Sequence, residues 1–235
     1  MLSINNLTKR YHNILANDRI WFTAEDGRIS IILGPNGAGK STAIKCIMGL
    51  LRYDGEIIVN GYPNKSLYAK SILGYVPEVP ALYDLLTVGE HMEFIARAYK
   101  LEGYEKYAAE LLDRFEMTDK HNKLARELSK GMQQKLSICC ALLPRPQIIV
   151  FDEPLVGLDP HAIKEIKNMF VELRNQNRAI VISTHIIDSV EDIWDKAIIM
   201  SNGIILKLCE RSEIESQGLK LEQVFFGATE NGREG

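Results

Sequence analysis

The segment GPNGAGKST, at residues 34–42, has the residue types and spacing of a loop that binds phosphate. It satisfies the pattern G-x-x-x-x-G-K-[ST], in which glycines let backbone N–H groups close around phosphate oxygens. Lys40 would reach the β and γ phosphates of a nucleotide, and the Ser41 hydroxyl would contact Mg²⁺. The residues predicted to contact the nucleotide here are Gly34, Pro35, Asn36, Gly37, Ala38, Gly39, Lys40, Ser41 and Thr42.

A second chemical signal is the pair of carboxylates at Asp152 and Glu153. Most such pairs are solvated surface charges, but this one follows the apolar run IIVF, which is typical of a buried strand. Two adjacent carboxylates there would repel each other and be costly to desolvate, unless a cation or a reactive water needs them. The position favours Asp152 as a Mg²⁺ ligand and Glu153 as the general base that activates a water.

Three short apolar runs predict buried parallel strands that would position these groups. They cover residues 29–33, 148–151 and 179–183, and each ends at a polar cluster: GPNGAGKST, FDEP or STH. Asp159 followed by Pro160 predicts the start of a crossover helix between the last two. Alternating strands and helices indicate an α/β fold whose ligands bind beyond the carboxyl ends of the strands.

The remaining elements give the predicted fold class and organisation. The Asn-Gly pairs at 60–61 and 202–203 predict hairpins, so the mainly parallel sheet should be mixed, with an antiparallel β portion towards the N-terminus. A helical pattern from Thr87 to Leu143 opens with a predicted capping box at Thr87 and Glu90. We expect one domain over residues 1–235, an α/β P-loop NTPase core with an inserted helical subdomain at about residues 84–146.

Composition excludes several classes of protein. Lys and Arg total 28 against 31 Asp and Glu, so the chain has no overall basic character that would attract nucleic acid. The longest apolar stretches, such as residues 138–143, are too short to cross a bilayer. The start MLSINNLTKR does not resemble a secretory signal, and the four cysteines lack metal-ligand spacing. We expect a cytoplasmic protein with reduced cysteines, three of them in the core.

The ordered set of motifs resembles the nucleotide-binding subunits of ATP-binding cassette (ABC) transporters. LSKGM, at residues 128–132, is similar to the signature sequence of that family, and residues 157–159 resemble the loop that follows its catalytic glutamate. His185 resembles the family's switch histidine, and Tyr11 resembles the aromatic residue that stacks on adenine. The resemblance extends from the first strand to about Asn202 and implies ATP and Mg²⁺ as ligands.

The resemblance also implies roles for individual residues. Glu153, His185 and Lys40 would be catalytic, with His185 contacting the γ phosphate, while Ser129 and Gly131 would bind the nucleotide held by a second subunit. Three of the residues assigned by resemblance have an alternative interpretation without a ligand: Tyr11 as a surface aromatic, His185 as a structural histidine and Ser129 as a helix N-cap.

Two positions depart from the family pattern. Glu78, in GYVPE, stands where the family usually has glutamine. A carboxylate can bind Mg²⁺ or order a water but cannot donate the hydrogen bonds of an amide, so Glu78 is a candidate metal ligand whose role differs from that of the amide. In the signature, Lys130 and Met132 replace the commoner Gly and Gln.

Three functions remain to be compared. The first is an ATPase that dimerises on ATP, as a homodimer or heterodimer, and drives a separate membrane-spanning permease through contacts around residues 75–83; the resemblance favours export. It would place the chain on the inner face of the cell membrane. The second is a soluble cassette ATPase that acts on the ribosome or DNA, which the near-neutral charge does not favour. The third, a small-molecule kinase or GTPase, leaves the signature and His185 unexplained.

Overall fold

The computed structural model describes residues 1–231, with ten strands and eight α-helices. The strands are β1 Leu2–Tyr11, β2 Ile14–Ala24, β3 Ile29–Leu33, β4 Asp54–Val59, β5 Tyr62–Pro63, β6 Leu73–Val76, β7 Ile148–Asp152, β8 Ala179–Thr184, β9 Lys196–Ser201 and β10 Ile204–Glu210. The α-helices are α1 Lys40–Ile47, α2 Leu67–Ile72, α3 Val88–Ala98, α4 Glu105–Arg114, α5 Lys130–Leu142, α6 Pro160–Asn175, α7 Arg211–Ser216 and α8 Leu221–Asn231.

The central sheet has six strands in the order β10-β9-β3-β8-β7-β6. Its five strands from β9 to β6 run parallel, and β10 is antiparallel to β9. The three strands predicted from apolar runs are β3, β7 and β8, the last two longer by one residue each. All their residues are buried, as expected for parallel strands covered on both faces. The predicted α/β fold with a mixed, mainly parallel sheet is confirmed.

A second, antiparallel sheet contains β2, β1, β4 and β5. The turn Asn60-Gly61 joins β4 to β5, and Asn202-Gly203 joins β9 to β10, so both predicted hairpins are present. All four turn residues have positive φ, from 47° at Asn60 to 84° at Gly61. This is the conformation that Asn-Gly turns between antiparallel strands adopt.

The chain between β6 and β7 contains α3, α4, α5 and two short 3-10 turns, and no strand is assigned there. Thr87 caps α3, with reciprocal hydrogen bonds to Glu90 of 2.7 and 3.1 Å, which confirms the predicted capping box. The predicted helical subdomain falls on this segment, and its standing as a separate unit stays a prediction. Residues 232–235 of the predicted domain lie outside the described residues.

The central sheet separates two apolar cores. Side chains of successive strand residues alternate between them: Ile31 packs with the helices α3 to α6, whereas Ile32 packs with α1 and the antiparallel sheet. On the first side Phe151 and Phe170 meet edge to face with ring centroids 4.8 Å apart, which ties β7 to α6. None of the helices in residues 1–231 has the length and apolar composition to cross a membrane.

Burial of the cysteines predicts slow thiol chemistry. Burial raises the thiol pKa to about 11 at Cys46 and Cys209 and to about 12 at Cys140. Since the thiolate is the reactive form, the native protein at pH 8 should react with a disulfide reagent at least about tenfold more slowly than the unfolded protein. Equal rates in buffer and in guanidinium would contradict this expectation.

Candidate nucleotide-binding site

Tight packing shapes the glycine loop between β3 and α1. Gly39, the N-cap of α1, has φ of 96°, and a Cβ atom there would lie 2.5 Å from the Ala16 carbonyl oxygen. A Cβ at Gly34 would collide with the carbonyl oxygen of Met200. Glycine is therefore required at both places by close backbone contact, and at Gly39 also by a left-handed conformation. The result is a helix N-terminus whose free N–H groups can bind an anion.

Lys40 lies at the start of α1, and its ammonium group faces the loop. Its Nζ donates to the carbonyl oxygens of Gly34 at 2.8 Å and Pro35 at 3.3 Å, and lies 3.4 Å from Glu153 Oε1. The Lys40 and Glu153 side chains are only 5% and 6% exposed. Since isolated buried charges are costly, each of these two groups depends on the other for compensation.

Asp152 is held by two hydroxyl groups. Its Oδ1 accepts hydrogen bonds from Ser41 Oγ at 3.1 Å and Ser183 Oγ at 2.5 Å. Asp152 and Ser183 are directly paired in the parallel ladder of β7 and β8, so the sheet register brings them together. Ser183 was not among the predicted site residues, and its only sequence signal was its place in the STH cluster at the end of β8.

Glu153 follows β7 with a φ of 47°, in the left-handed region that few residues other than glycine adopt. This turn directs its carboxylate away from Asp152 and towards Lys40 and His185. His185 Nδ1 lies 3.0 Å from Glu153 Oε1, so the Nδ1 proton donates to the carboxylate and Nε2 remains available to a ligand. The strained backbone is thus located at the group predicted to act as the base.

These groups border a cavity of about 640 Å³. Predicted residues that line it are Asn36, Gly37, Ala38, Gly39, Lys40, Ser41, Thr42, Glu78, Glu153 and His185. The lining residues that the sequence did not predict are Ile14, Leu15, Ala16, Val156, Asn202 and Gly203. The strand residues at 14–16 carry no motif, and the Asn202-Gly203 pair indicated only a turn.

Six predicted residues are not part of the cavity lining. Gly34, Pro35 and Asp152 are hydrogen-bonded to the lining residues Lys40 or Ser41, whereas Tyr11, Ser129 and Gly131 are not. Tyr11 is 40% exposed, with Lys9 Nζ 4.8 Å from its ring centroid, and pairs in the ladder with Ile14, which does line the cavity. Ser129 is exposed and caps α5 by accepting a hydrogen bond from the Met132 N–H at 3.3 Å. Gly131 is in the first turn of α5. The nucleotide contacts of Tyr11, Ser129 and Gly131 stay predictions.

The residues present fit a magnesium ion bound together with phosphates. Mg²⁺ usually takes one or two carboxylates and keeps waters or phosphate oxygens as its other ligands. The adjoining hydroxyl of Ser41 and carboxylate of Asp152 supply such a partial set of oxygen ligands. Within residues 1–231 no group of three or more His, Cys, Asp or Glu side chains forms a complete metal cage.

Comparison with known proteins decides the family. The model of the family described as ABC transporter matches residues 17–156, more than half of the chain. The chain belongs to the ABC transporter family. The ABC transporter ATP-binding protein EcsA of Bacillus subtilis is 37% identical over 226 residues, 94% of this chain and 92% of that protein.

Two further similarities agree with this. The SkfA peptide export ATP-binding protein SkfE of Bacillus subtilis is 30% identical, with 92% of each chain covered. A solved structure of an ATP-binding subunit of an ABC transporter has a TM-score of 0.92 and 33% identity, and covers 97% of this chain and 99% of that one. This ABC cassette is therefore an ATPase whose hydrolysis of ATP is coupled to transport, and the ribosome or nucleic-acid alternative is not favoured.

The two left-handed glycines of the loop give a matched test of its packing. Gly37 has φ of 83°, and a Cβ atom there would meet open space, whereas a Cβ atom at Gly39 would collide with Ala16. Gly39→Ala should therefore lower the free energy of unfolding in urea by at least about 1 kcal/mol more than Gly37→Ala does. Equal losses for the two variants would show that the contact with β2 is not tight.

Proposed function

We propose that this cassette is a peripheral subunit that closes on ATP with a second cassette and drives a separate membrane-spanning permease, with transport directed outward. The observation that carries the proposal is the convergence on Glu153: one buried carboxylate contacts both Lys40 of the glycine loop and His185 at the end of β8. The three chain segments thus meet where a nucleotide's terminal phosphate would lie.

Nucleotide binding is assigned to the glycine loop and its neighbours. Backbone N–H groups at residues 34–42 surround the phosphates, Lys40 neutralises their charge, and the exposed ring of Tyr11 stacks on adenine. Ser41 and Asp152 would hold the Mg²⁺ ion, and Glu78 at the cavity wall would be a further oxygen ligand. The ion, when bound, neutralises charge that develops on the transferred phosphoryl group.

Hydrolysis is assigned to Glu153 and His185. The Glu153 carboxylate orients the attacking water and accepts its proton, which is the task of a general base. His185, whose Nδ1 lies 3.0 Å from Glu153 Oε1, contacts the γ phosphate through Nε2; with both ring nitrogens protonated it donates to Glu153 and to a phosphate oxygen at once. Because Glu153 is 6% exposed, few waters besides the reacting one reach it, and its hydrogen bonds act in a poorly screened environment.

The proposed dimer is supported by the location of the predicted nucleotide-binding residues, since the glycine loop lines the cavity and Ser129 and Gly131 lie elsewhere, at the N-terminus of α5. Ser129 and Gly131 stand at an exposed helix N-terminus outside the cavity that holds the glycine loop. A capped helix of 13 residues offers N–H groups and its positive dipole end to an anion. In a head-to-tail pair, whether of identical or related chains, this terminus covers the nucleotide of the partner.

A second groove supports the contact with the permease. It has a volume of about 720 Å³ and is mostly apolar. The half-exposed aromatic rings of Tyr83 and Phe94 pack edge to face there, with their centroids 5.2 Å apart. Tyr75 and Pro77 line this groove, whereas Glu78, the next residue, lines the nucleotide cavity. Burial, with the charges of Asp152 and Glu78, raises the pKa of Tyr75 to about 12, so it stays neutral between the two sites.

Export and location rest on resemblance. SkfE, a relative that matches over 92% of each chain, carries peptide export in its name. Attachment to a permease through the groove places the cassette on the cytoplasmic face of the membrane. No nucleic-acid partner is expected, given 28 basic against 31 acidic residues.

Glu153→Gln tests the assignment of the base. The amide keeps the size of the side chain but cannot accept the proton, so we expect ATP to bind while turnover falls by about 10²-fold or more, with a closed dimer accumulating. Lys40→Ala should instead lose ATP affinity. The measurements are ATP hydrolysis, ATP binding and size-exclusion chromatography, with the exposed Glu102→Gln as control. A fully active Glu153→Gln would refute the base assignment.

Recovery of a membrane partner tests the whole proposal. Tagged Glu153→Gln protein, incubated with solubilised membranes, ATP and Mg²⁺, should retain a polytopic membrane protein in near-equal amount. Phe94→Asp introduces a charge into the groove and should abolish that recovery while ATP binding persists. Trp21→Asp is the matched control, because Trp21 is 61% exposed and lies outside the groove. Recovery of ribosomes or nucleic acid instead would favour the alternative function.

A further inference from the structure

A buried asparagine contacts the glycine loop from behind. Asn17 of β2 is 0% exposed, and its Nδ2 donates to the carbonyl oxygen of Gly39 at 3.2 Å. The same carbonyl accepts the Ala43 N–H at 2.9 Å, the first hydrogen bond of α1. Two donors from different elements therefore fix the plane of the peptide that joins Gly39 to Lys40.

The turn between β9 and β10 holds the peptide that joins Ala38 to Gly39. The Gly203 N–H donates to the carbonyl oxygen of Ala38 at 3.1 Å, while the Gly203 carbonyl accepts the Asp18 N–H at 2.9 Å. Asn17, Asp18 and Gly203 thus form a continuous support, called here the brace, behind two consecutive carbonyl groups of the loop. Its parts come from β2 and from a turn that is distant from β2 in the chain.

The brace determines where two N–H groups point. In a planar trans peptide the N–H is directed opposite to the C=O. With the carbonyl groups of Ala38 and Gly39 held on one side, the N–H groups of Gly39 and Lys40 are directed to the other side. At the N-terminus of α1 these N–H groups have no carbonyl of their own helix to bind, so they are available to phosphate oxygens in the cavity.

Folding stability does not explain why residue 17 is asparagine. Within residues 1–231 its buried Oδ1 has no hydrogen-bond partner, and an unpaired buried polar atom destabilises the folded state. A leucine of similar size would avoid that cost, since Ala16, Asn17 and Ile20 belong to a strand packed on the core. In the part of the chain that the structure describes, the amide makes one hydrogen bond that leucine could not make, the bond to the Gly39 carbonyl oxygen.

We propose that Asn17 is a positioning residue for nucleotide binding: through the brace it pre-aligns the phosphate-binding N–H groups of Gly39 and Lys40. The inference rests on the proposed function, in which this loop binds the phosphates of ATP. Pre-alignment lowers the cost of ordering the loop when nucleotide binds, so it acts on affinity more than on the chemical step.

Asn17→Leu is the first test. The variant should fold with an unfolding free energy in urea no lower than that of the wild type, because it removes an unpaired buried oxygen. Its KM for ATP should rise about fivefold or more while kcat at saturating ATP changes by less than about twofold. A merely structural role would lower the amount of active protein, and so the apparent kcat, without changing KM.

The two Asn-Gly turns provide a second test that does not depend on the folding of Asn17→Leu. A Cβ at Gly203 would lie 2.7 Å from the Ala16 carbonyl oxygen and displace the turn from β2, whereas a Cβ at Gly61 meets open space. Both residues have similar positive φ, of 80° and 84°, so the backbone cost of alanine is matched. Gly203→Ala should raise the KM for ATP, and Gly61→Ala should leave it unchanged.

The results distinguish the role of the brace from the proposed function of the protein. Saturable ATP hydrolysis by the wild type, with a raised KM in Asn17→Leu and Gly203→Ala alone, supports the brace. An unchanged KM in both variants overturns the brace and leaves the proposed function intact. If Asn17→Leu does not fold, the comparison of Gly203→Ala with Gly61→Ala decides the question. Failure of the wild type to bind ATP would refute the proposed function and the brace with it.

Discussion

The burial of two neighbouring carboxylates at the end of β7 is the constraint around which the site is built. Asp152 and Glu153 are 1% and 6% exposed, and two unpaired anions at that depth would be strongly destabilising. The fold separates them by the left-handed conformation of Glu153 and gives each its own partners. Asp152 receives two hydroxyl groups, and Glu153 receives the ammonium of Lys40 and the imidazole of His185.

This arrangement links binding to chemistry in the proposed function. Lys40 is shared between two loop carbonyls and Glu153, and a bound phosphate competes for the same ammonium group. In that proposal, a phosphate that takes Lys40 would leave Glu153 with His185 as its remaining charged or hydrogen-bonding side-chain partner among the described residues. The brace does not contact the nucleotide in this proposal; it holds the backbone on which Lys40 and the loop N–H groups are carried.

The short segment after β6 connects the nucleotide cavity to the apolar groove. Tyr75 lies in β6, whose parallel pairing with β7 places it opposite Val150, two residues before Asp152. Pro77 lines the groove and the next residue, Glu78, lines the cavity, so a single stretch of backbone belongs to both. A partner seated in the groove would therefore sense the state of the cavity through direct chain connection, without a longer path through the protein.

Much of this could be predicted from local sequence. Apolar runs that end in polar clusters predicted β3, β7 and β8, and cap residues predicted the starts of α3, α5 and α6, because these signals act within a few residues. The same reasoning found the loop, Asp152 and Glu153, whereas His185 was identified through the resemblance to the ABC family. It missed Ser183 as a hydrogen-bond partner of Asp152, and it missed the cavity wall at residues 14–16, because these positions carry no local motif.

The sequence by itself determined which chemical groups are present and in which elements they lie, since glycines, caps and apolar periodicity have local physical causes. Only the tertiary structure decided which groups meet. The parallel register pairs Asp152 with Ser183, and the packing of β2 and the β9–β10 turn brings Asn17 and Gly203 to the loop. Such contacts join residues far apart in the chain, and they form because two sheets and their helices must bury their apolar faces together.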